Sequence, residues 1–330
     1  MILRQFNSFL LIFCMVFSGM SFGSCSIWAN PDNGIDYRGE MRNFIKEISS
    51  YAKSSKPGFI IIPQNGQALL TKNGNADGHI KTEYINAIGA TGRENLFYGY
   101  QEDDKATPAS AKEYMLKLCR LCKEHNIEVL VTDYCSTPNK VDTSYYLNES
   151  EGFISFAANK RELNTIPPYP SQPYNQNNKD IDSISKAENF LYLLNTENYS
   201  TKQDIIESFS ATNYDVIIMD LFHNGTAFNK TEIDQLKVKK NGGNRMVIAY
   251  MSIGEAEEYR YYWNENWSEG SPEWLEKENP QWDGNYKVRY WNKNWQDIIF
   301  GTESSYVKKI LDAGFDGAYL DIVDAYEYYE

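Results

Sequence analysis

Short, continuously apolar runs recur along this 330-residue chain, with room for a helix between several of them, and that rhythm constrains the fold more than any other feature. The runs are Phe59-Ile60-Ile61-Ile62-Pro63-Gln64, Leu96-Phe97-Tyr98-Gly99-Tyr100, Val129-Leu130-Val131-Thr132-Asp133 and Phe153-Ile154-Ser155-Phe156-Ala157. They continue with Phe190-Leu191-Tyr192-Leu193-Leu194-Asn195, Val216-Ile217-Ile218-Met219-Asp220, Met246-Val247-Ile248-Ala249-Tyr250-Met251 and Ala318-Tyr319-Leu320-Asp321-Ile322. Amphipathic helical patterns lie over residues 111–124, 201–212, 231–239 and 303–313. Strands apolar on both faces, alternating with such helices, specify a parallel sheet covered on its outer side. About eight units of this kind make a closed (β/α)8 barrel. A leading helix over residues 40–53, with Met41, Phe44, Ile45 and Ile48 on one face, would cover the position of the missing last helix. Residues 288–291 form one strand candidate too many and read as a short loop strand near the mouth. The architectural alternative is an open, doubly wound sheet.

The domain reading is correspondingly simple. Residues 1–24 read as a signal peptide: Arg4 is followed by the apolar stretch 9–17, too short to span a bilayer. Residues 25–39 form a short linker and residues 40–330 one barrel domain, with an irregular surface loop over 167–182. Phe22-Gly23-Ser24-Cys25 resembles a bacterial lipoprotein cleavage box, in which Cys25 would carry the lipid and tie the protein to a membrane. Ordinary cleavage nearby, with Cys25 a bystander, is the other reading. Either way the protein is expected to be exported, outside the cell, in the periplasm or anchored at the cell surface.

Charge and motifs remove several functions. A net charge of −13 without a basic cluster argues against nucleic acid. Three His in the whole chain argue against a His-rich metal site, and no cofactor is expected. Cys119 and Cys122 continue the apolar helical face of Met115 and Leu118, so they read as buried hydrophobes. The chain lacks a G-x-S-x-G elbow, a P-loop, G-x-G-x-x-G and H-E-x-x-H.

In a barrel the polar residues at strand C-terminal ends face the catalytic mouth. Four acids end or follow apolar strands: Asp133, Asp220, Glu255 and Asp321. Acids crowded there shift one another's pKa values apart, which is how one keeps the proton that glycoside cleavage requires. Asn65, Tyr100, Tyr250 and Asp324 occupy similar positions and are candidates for holding substrate. Trp291 belongs to an aromatic-rich stretch after the seventh strand, read either as a sugar-stacking wall or as a satellite hydrophobic cluster.

Residues 59–66, Ile248-Ala249-Tyr250-Met251-Ser252-Ile253-Gly254-Glu255-Ala256-Glu257 and Gly314-Phe315-Asp316-Gly317-Ala318-Tyr319-Leu320-Asp321 resemble glycoside hydrolase family 114. The likeness is to its prokaryotic branch, once labelled cysteinyl-tRNA synthetase-related, a label that the acidic charge and the leader do not support. The resemblance implies a TIM barrel and an endo-α-1,4-polygalactosaminidase-like activity on a galactosamine-containing polysaccharide. On this reading Glu255 is the general acid/base, Asp321 its partner, and Asp220 orients or replaces one of them. Asn65, Asp133 and Tyr250 position the sugar. A monomer is expected. The rival function is a non-catalytic surface protein that binds carbohydrate.

Overall fold

The computed structural model describes residues 34–330. The expected signal peptide, Cys25 and the first part of the expected linker lie outside the described residues.

Helix α1 (Tyr37–Ser55) starts where the Asp36 side chain accepts a hydrogen bond from the Gly39 backbone N–H, and it buries Met41, Phe44, Ile45, Ile48 and Ala52. The strands that follow are β1 (Ile60–Pro63), β2 (Ala90–Glu94), β3 (Glu128–Tyr134), β4 (Ile154–Ala158), β5 (Phe190–Tyr192), β6 (Val216–Asp220), β7 (Met246–Ser252) and β8 (Gly317–Asp321). The remaining helices are α2 (Thr82–Ala87), α3 (Ala109–Glu124), α4 (Pro138–Ser150), α5 (Lys202–Ser210), α6 (Lys230–Leu236), α7 (Lys293–Ile299) and α8 (Tyr306–Asp312). Helices α5 and α6 each open with a capping box, Thr201/Asp204 and Asn229/Glu232.

The architecture is mixed α/β around a parallel sheet. One sheet runs β5-β6-β7-β8-β1 and a second runs β2-β3-β4, every neighbouring pair being parallel. A single parallel bridge, Gln64 to Gly92, connects β1 to β2. Between β4 and β5 no ladder forms, although the Phe156 and Phe190 rings meet there at 5.7 Å. Helix α1 lies over the outside between α2 and α8. Ser49 and Lys53 bond the Ala87 carbonyl at the end of α2, and Lys56 bonds the Phe315 carbonyl just before β8.

Most apolar runs became strands, with one informative exception. The second strand was expected at 96–100, yet β2 lies six residues earlier. Its sequence Ala-Thr-Gly-Arg-Glu carries little apolar bulk because the bulk comes from another strand. A Cβ placed on Gly92 would lie 1.9 Å from Tyr319 Oη of β8, so the tyrosine fills the space that β2 leaves open. Residues 96–100 form a loop instead, flanked by Asn95 (φ 59°) and containing Gly99 (φ 101°), and Leu96 and Phe97 are buried beneath it. The extra strand candidate is partly realised. Asn285–Val288 pairs with Glu255–Glu257 and Leu275–Glu278 in a small antiparallel sheet within the β7–β8 connection, and residues 289–291 lie beyond it.

Candidate active site

The inner face of the parallel sheet is defined by side chains that meet across it. The Tyr192 hydroxyl donates to Gln64 Oε1 at 2.9 Å, the Tyr192 and Tyr319 rings lie 5.1 Å apart, and Tyr319 covers Gly92. Side chains alternate with period two along each strand, and Cα partners in neighbouring parallel strands share a face. Asp321 follows Tyr319 by two residues and Glu94 follows Gly92 by two. Tyr250 pairs with Tyr319 and Asp220 pairs with Tyr250. Three carboxylates, Glu94, Asp220 and Asp321, therefore face inward at the C-terminal ends of their strands.

Asp321 is the most perturbed of them. Burial raises its carboxyl pKa, the nearby Glu94 charge raises it further, and together they push it up to about 8 against the opposing hydrogen bonds. Those bonds come from the Tyr250 hydroxyl, 2.6 Å from Oδ2, and the Ile322 backbone N–H, 2.8 Å from Oδ1. Ile322 itself adopts φ 56°, a left-handed conformation that a β-branched side chain resists. Glu94 accepts from the Gln64 amide at 2.5 Å, from the Asn65 amide at 3.4 Å and from the Tyr134 hydroxyl. Arg161 lies over the Tyr134 ring, 4.0 Å from its centroid.

On the other flank, Asp220 Oδ1 accepts the Phe222 backbone N–H at 2.7 Å and Oδ2 accepts Arg260 at 2.7 Å. Burial raises the Asp220 pKa while the guanidinium pulls it down. Arg260 also bonds Glu257 at 2.6 Å, and the Tyr259 hydroxyl donates to Glu257. The Tyr259 ring rests near the guanidinium at 5.0 Å and is largely exposed.

The other candidates separate into those near this group and those away from it. Asn65, in a left-handed turn after β1, accepts the Glu94 backbone N–H and so joins the group. Asp324 lies in the turn Val323–Tyr328, where burial and the Glu327 charge push it up to about 7, and its own charge adds to the shift of Asp321. Glu255 does not reach solvent. It lies on the small antiparallel sheet, wholly buried, with Oε1 accepting Asn279 at 2.8 Å and Tyr328 at 3.2 Å. Asp133 is also sealed. It pairs with Ala157 on the outward parity of β3, accepting the Phe97 and Tyr98 N–H groups on one oxygen and Ser144 and Asn148 on the other. That placement corrects its expected contact with sugar: Asp133 ties the loop after β2 to α4. Asp133→Ala should cost about 3 kcal/mol in urea denaturation, because two backbone donors and two side-chain donors lose their acceptor. An intact stability with lost glycan binding would restore the original role.

Tyr100 is half-buried against the core beyond Gly99. Trp291 sits against Tyr37, Tyr290 and Tyr329 at the start of α1, with centroids 4.7 to 5.0 Å away, rather than beside the three carboxylates. Much of the aromatic stretch is likewise a packed cluster. Trp263, Trp267, Trp274 and Trp295 touch in series, the last two almost fully buried. Glu94, Arg260 and Glu257 were not expected. Glu94 was hidden by the misplaced second strand. Its only sequence signal is a carboxylate directly before Asn95, at the end of a run with almost no apolar character. Among the described residues no group of three or more His, Cys, Asp or Glu is placed to hold a metal ion, and no helix is long and apolar enough to cross a membrane.

Comparison with known proteins places this arrangement. An uncharacterized protein of Methanocaldococcus jannaschii is 40% identical over 154 residues, covering 47% of this chain and 42% of that protein. An uncharacterized protein of Thermotoga maritima is 38% identical over 120 residues, 36% of each chain, and one of Deinococcus radiodurans is 37% identical over 115 residues, 34% of each. The matched segments thus cover less than half the length of each relative. A family model matches residues 171–330, the part that carries Asp220, Tyr250, Arg260 and Asp321. Over that span the chain is similar to glycoside-hydrolase family GH114.

Proposed function

We propose that this protein is a glycoside hydrolase built on a closed (β/α)8 barrel, with the β4–β5 seam completing the ring and α1 in the slot of its last helix. The observation that carries the reading is Asp321, a carboxyl able to keep its proton near neutral pH while facing the same mouth as two other acids. Asp321 is the proton donor to the leaving glycosidic oxygen, and Tyr250 orients it. Asp220, whose burial raises its pKa while a permanent guanidinium at 2.7 Å opposes that rise, is the carboxylate assigned as nucleophile or base. Glu94 holds the Asp321 proton in place through its charge.

The substrate follows from the resemblance: an α-1,4-linked, galactosamine-containing polymer. A net charge of −13 suits such a cationic chain. Export, the lipid anchor at Cys25 and a monomeric state belong to the same proposal.

Release of reducing ends from this polymer is the test. Asp220→Asn should lower turnover about 10³-fold with folding intact, the scale of losing an acid–base or nucleophilic carboxylate. Glu255→Gln should act mainly on stability. Full turnover in Asp220→Asn would reject the assignment, and glycan binding without any bond cleavage would favour the carbohydrate-binding alternative.

A further inference from the structure

The short strand Glu255–Glu257 carries two buried carboxylates that stand outside the acid–base pair of Asp321 and Asp220. Glu255 and Glu257 alternate with Ala256, so their side chains share one face. Each accepts a tyrosine hydroxyl: Tyr328 reaches Glu255 Oε1 at 3.2 Å, and Tyr259 reaches Glu257 Oε1. Tyr328 ends the turn that follows β8, whereas Tyr259 precedes Arg260, whose guanidinium bonds Asp220. One strand thus ties down a ring on the Asp321 side of the mouth and another on the Asp220 side.

Both tyrosines are held at the hydroxyl and open at the ring. Tyr259 is 61% exposed and Tyr328 41%. A cation covers one face of each: the Arg260 guanidinium lies 5.0 Å from the Tyr259 centroid, and the Lys287 ammonium 4.0 Å from that of Tyr328. A planar ring has two faces, so the remaining exposure falls on the other face and its edges. The hydroxyl ends lie inward. Burial and the Glu257 charge raise the Tyr259 phenol pKa, with Asp220 adding to the rise against Arg260. Burial and the Glu255 charge raise that of Tyr328, with Asp324 and Asp321 adding to it. Both phenols therefore stand within electrostatic reach of the acids at the mouth. A ring fixed at its tip has little freedom left to lose when a ligand settles on it.

We propose that Tyr259 and Tyr328 are paired platforms on which the apolar C–H faces of two pyranose units lie, one on either flank of the cleaved bond. The negative face of an aromatic ring attracts the weakly positive C–H bonds of a sugar, and the contact removes apolar surface from water. The inference rests on the glycoside hydrolase reading for its polysaccharide.

The experiment uses the full chain carrying Asp321→Asn, so that binding can be measured without turnover. An α-1,4-linked galactosamine hexasaccharide and its fully N-acetylated counterpart are titrated calorimetrically. Tyr259→Phe, Tyr259→Leu, Tyr328→Phe and Tyr328→Leu are then added one at a time. Every one of these changes removes the hydroxyl and its bond to the glutamate, but only the phenylalanine changes keep the flat ring. The proposal expects each leucine change to raise Kd about tenfold for both sugars, and each phenylalanine change to raise it less than about threefold. Equal weakening by leucine and phenylalanine, a loss confined to the amine-bearing sugar, a loss at one tyrosine alone, or no binding of either sugar would overturn it. Wild-type hydrolysis is assayed in parallel. Ring-dependent binding without hydrolysis removes the catalytic reading alone, whereas hydrolysis with Kd unmoved by the leucine changes removes the platforms alone.

Discussion

Asp321→Asn should lower glycan hydrolysis about 10³-fold and, at the same time, raise the melting temperature at neutral and alkaline pH. The two effects share one cause. In the folded protein the carboxyl holds its proton up to about pH 8, because it is buried and faces the Glu94 charge. In the unfolded chain an aspartate releases its proton near pH 3.9. The folded state therefore binds more protons across the interval between these values. The contribution of Asp321 to stability is complete below about pH 4 and is lost as pH rises through about 8. Asparagine cannot ionise, so the variant escapes that loss, and its carbonyl can still accept from Tyr250. Thermal melts should show variant and wild type close together at pH 5 and the variant ahead by about 4 °C or more at pH 8. The rate of the wild type should fall along an alkaline limb near pH 8. A variant that hydrolyses normally, or a melting difference independent of pH, would remove Asp321 as the proton donor.

Lys239→Met should cost about 3–5 kcal/mol, the largest stability effect expected at a position far from the mouth. Lys239 and Asp215 form an ion pair at 2.9 Å in which both side chains are fully buried. Asp215 lies just before β6, and its other oxygen accepts the Asn177 amide at 2.8 Å and the Glu188 N–H at 2.9 Å. Lys239 also bonds the carbonyl and the side-chain oxygen of Asn177 at 3.2 Å. The pair thus pins the irregular 167–182 segment beneath the strand. Methionine fills the space but leaves the aspartate charge without its countercharge. Adding Asp215→Asn should recover part of the loss, since the uncompensated charge is then gone. Denaturant titration of the two single variants and the double gives the coupling. A single substitution costing under about 1 kcal/mol, the value of an exposed pair, would contradict the burial argument.

Legibility in the sequence differed between elements and side-chain directions. The stretch Val216 to Asp220 reads as a strand and is β6, residue for residue, because a strand buried on both faces is apolar without interruption. Helix α5 begins beside Thr201, where the amphipathic pattern over residues 201–212 starts. Strand β2 was not legible, since Gly92 leaves its volume to a tyrosine 227 positions further along the chain. The carboxylates divided in the same way. Asp220 and Asp321 end their strands on the inward parity, whereas Asp133 ends its run one residue out of phase and Tyr134 takes the inner position. Glu255 follows β7 by three residues, far enough for the chain to have turned into another sheet.

Composition and periodicity alone determined that this chain alternates buried strands with amphipathic helices and that acids gather at strand ends, because burial writes itself locally into the order of apolar residues. Which acids meet was decided only by the tertiary structure. Facing depends on a period of two and on volumes supplied from distant strands, and a one-residue shift in either moves a carboxylate from the mouth to the wall.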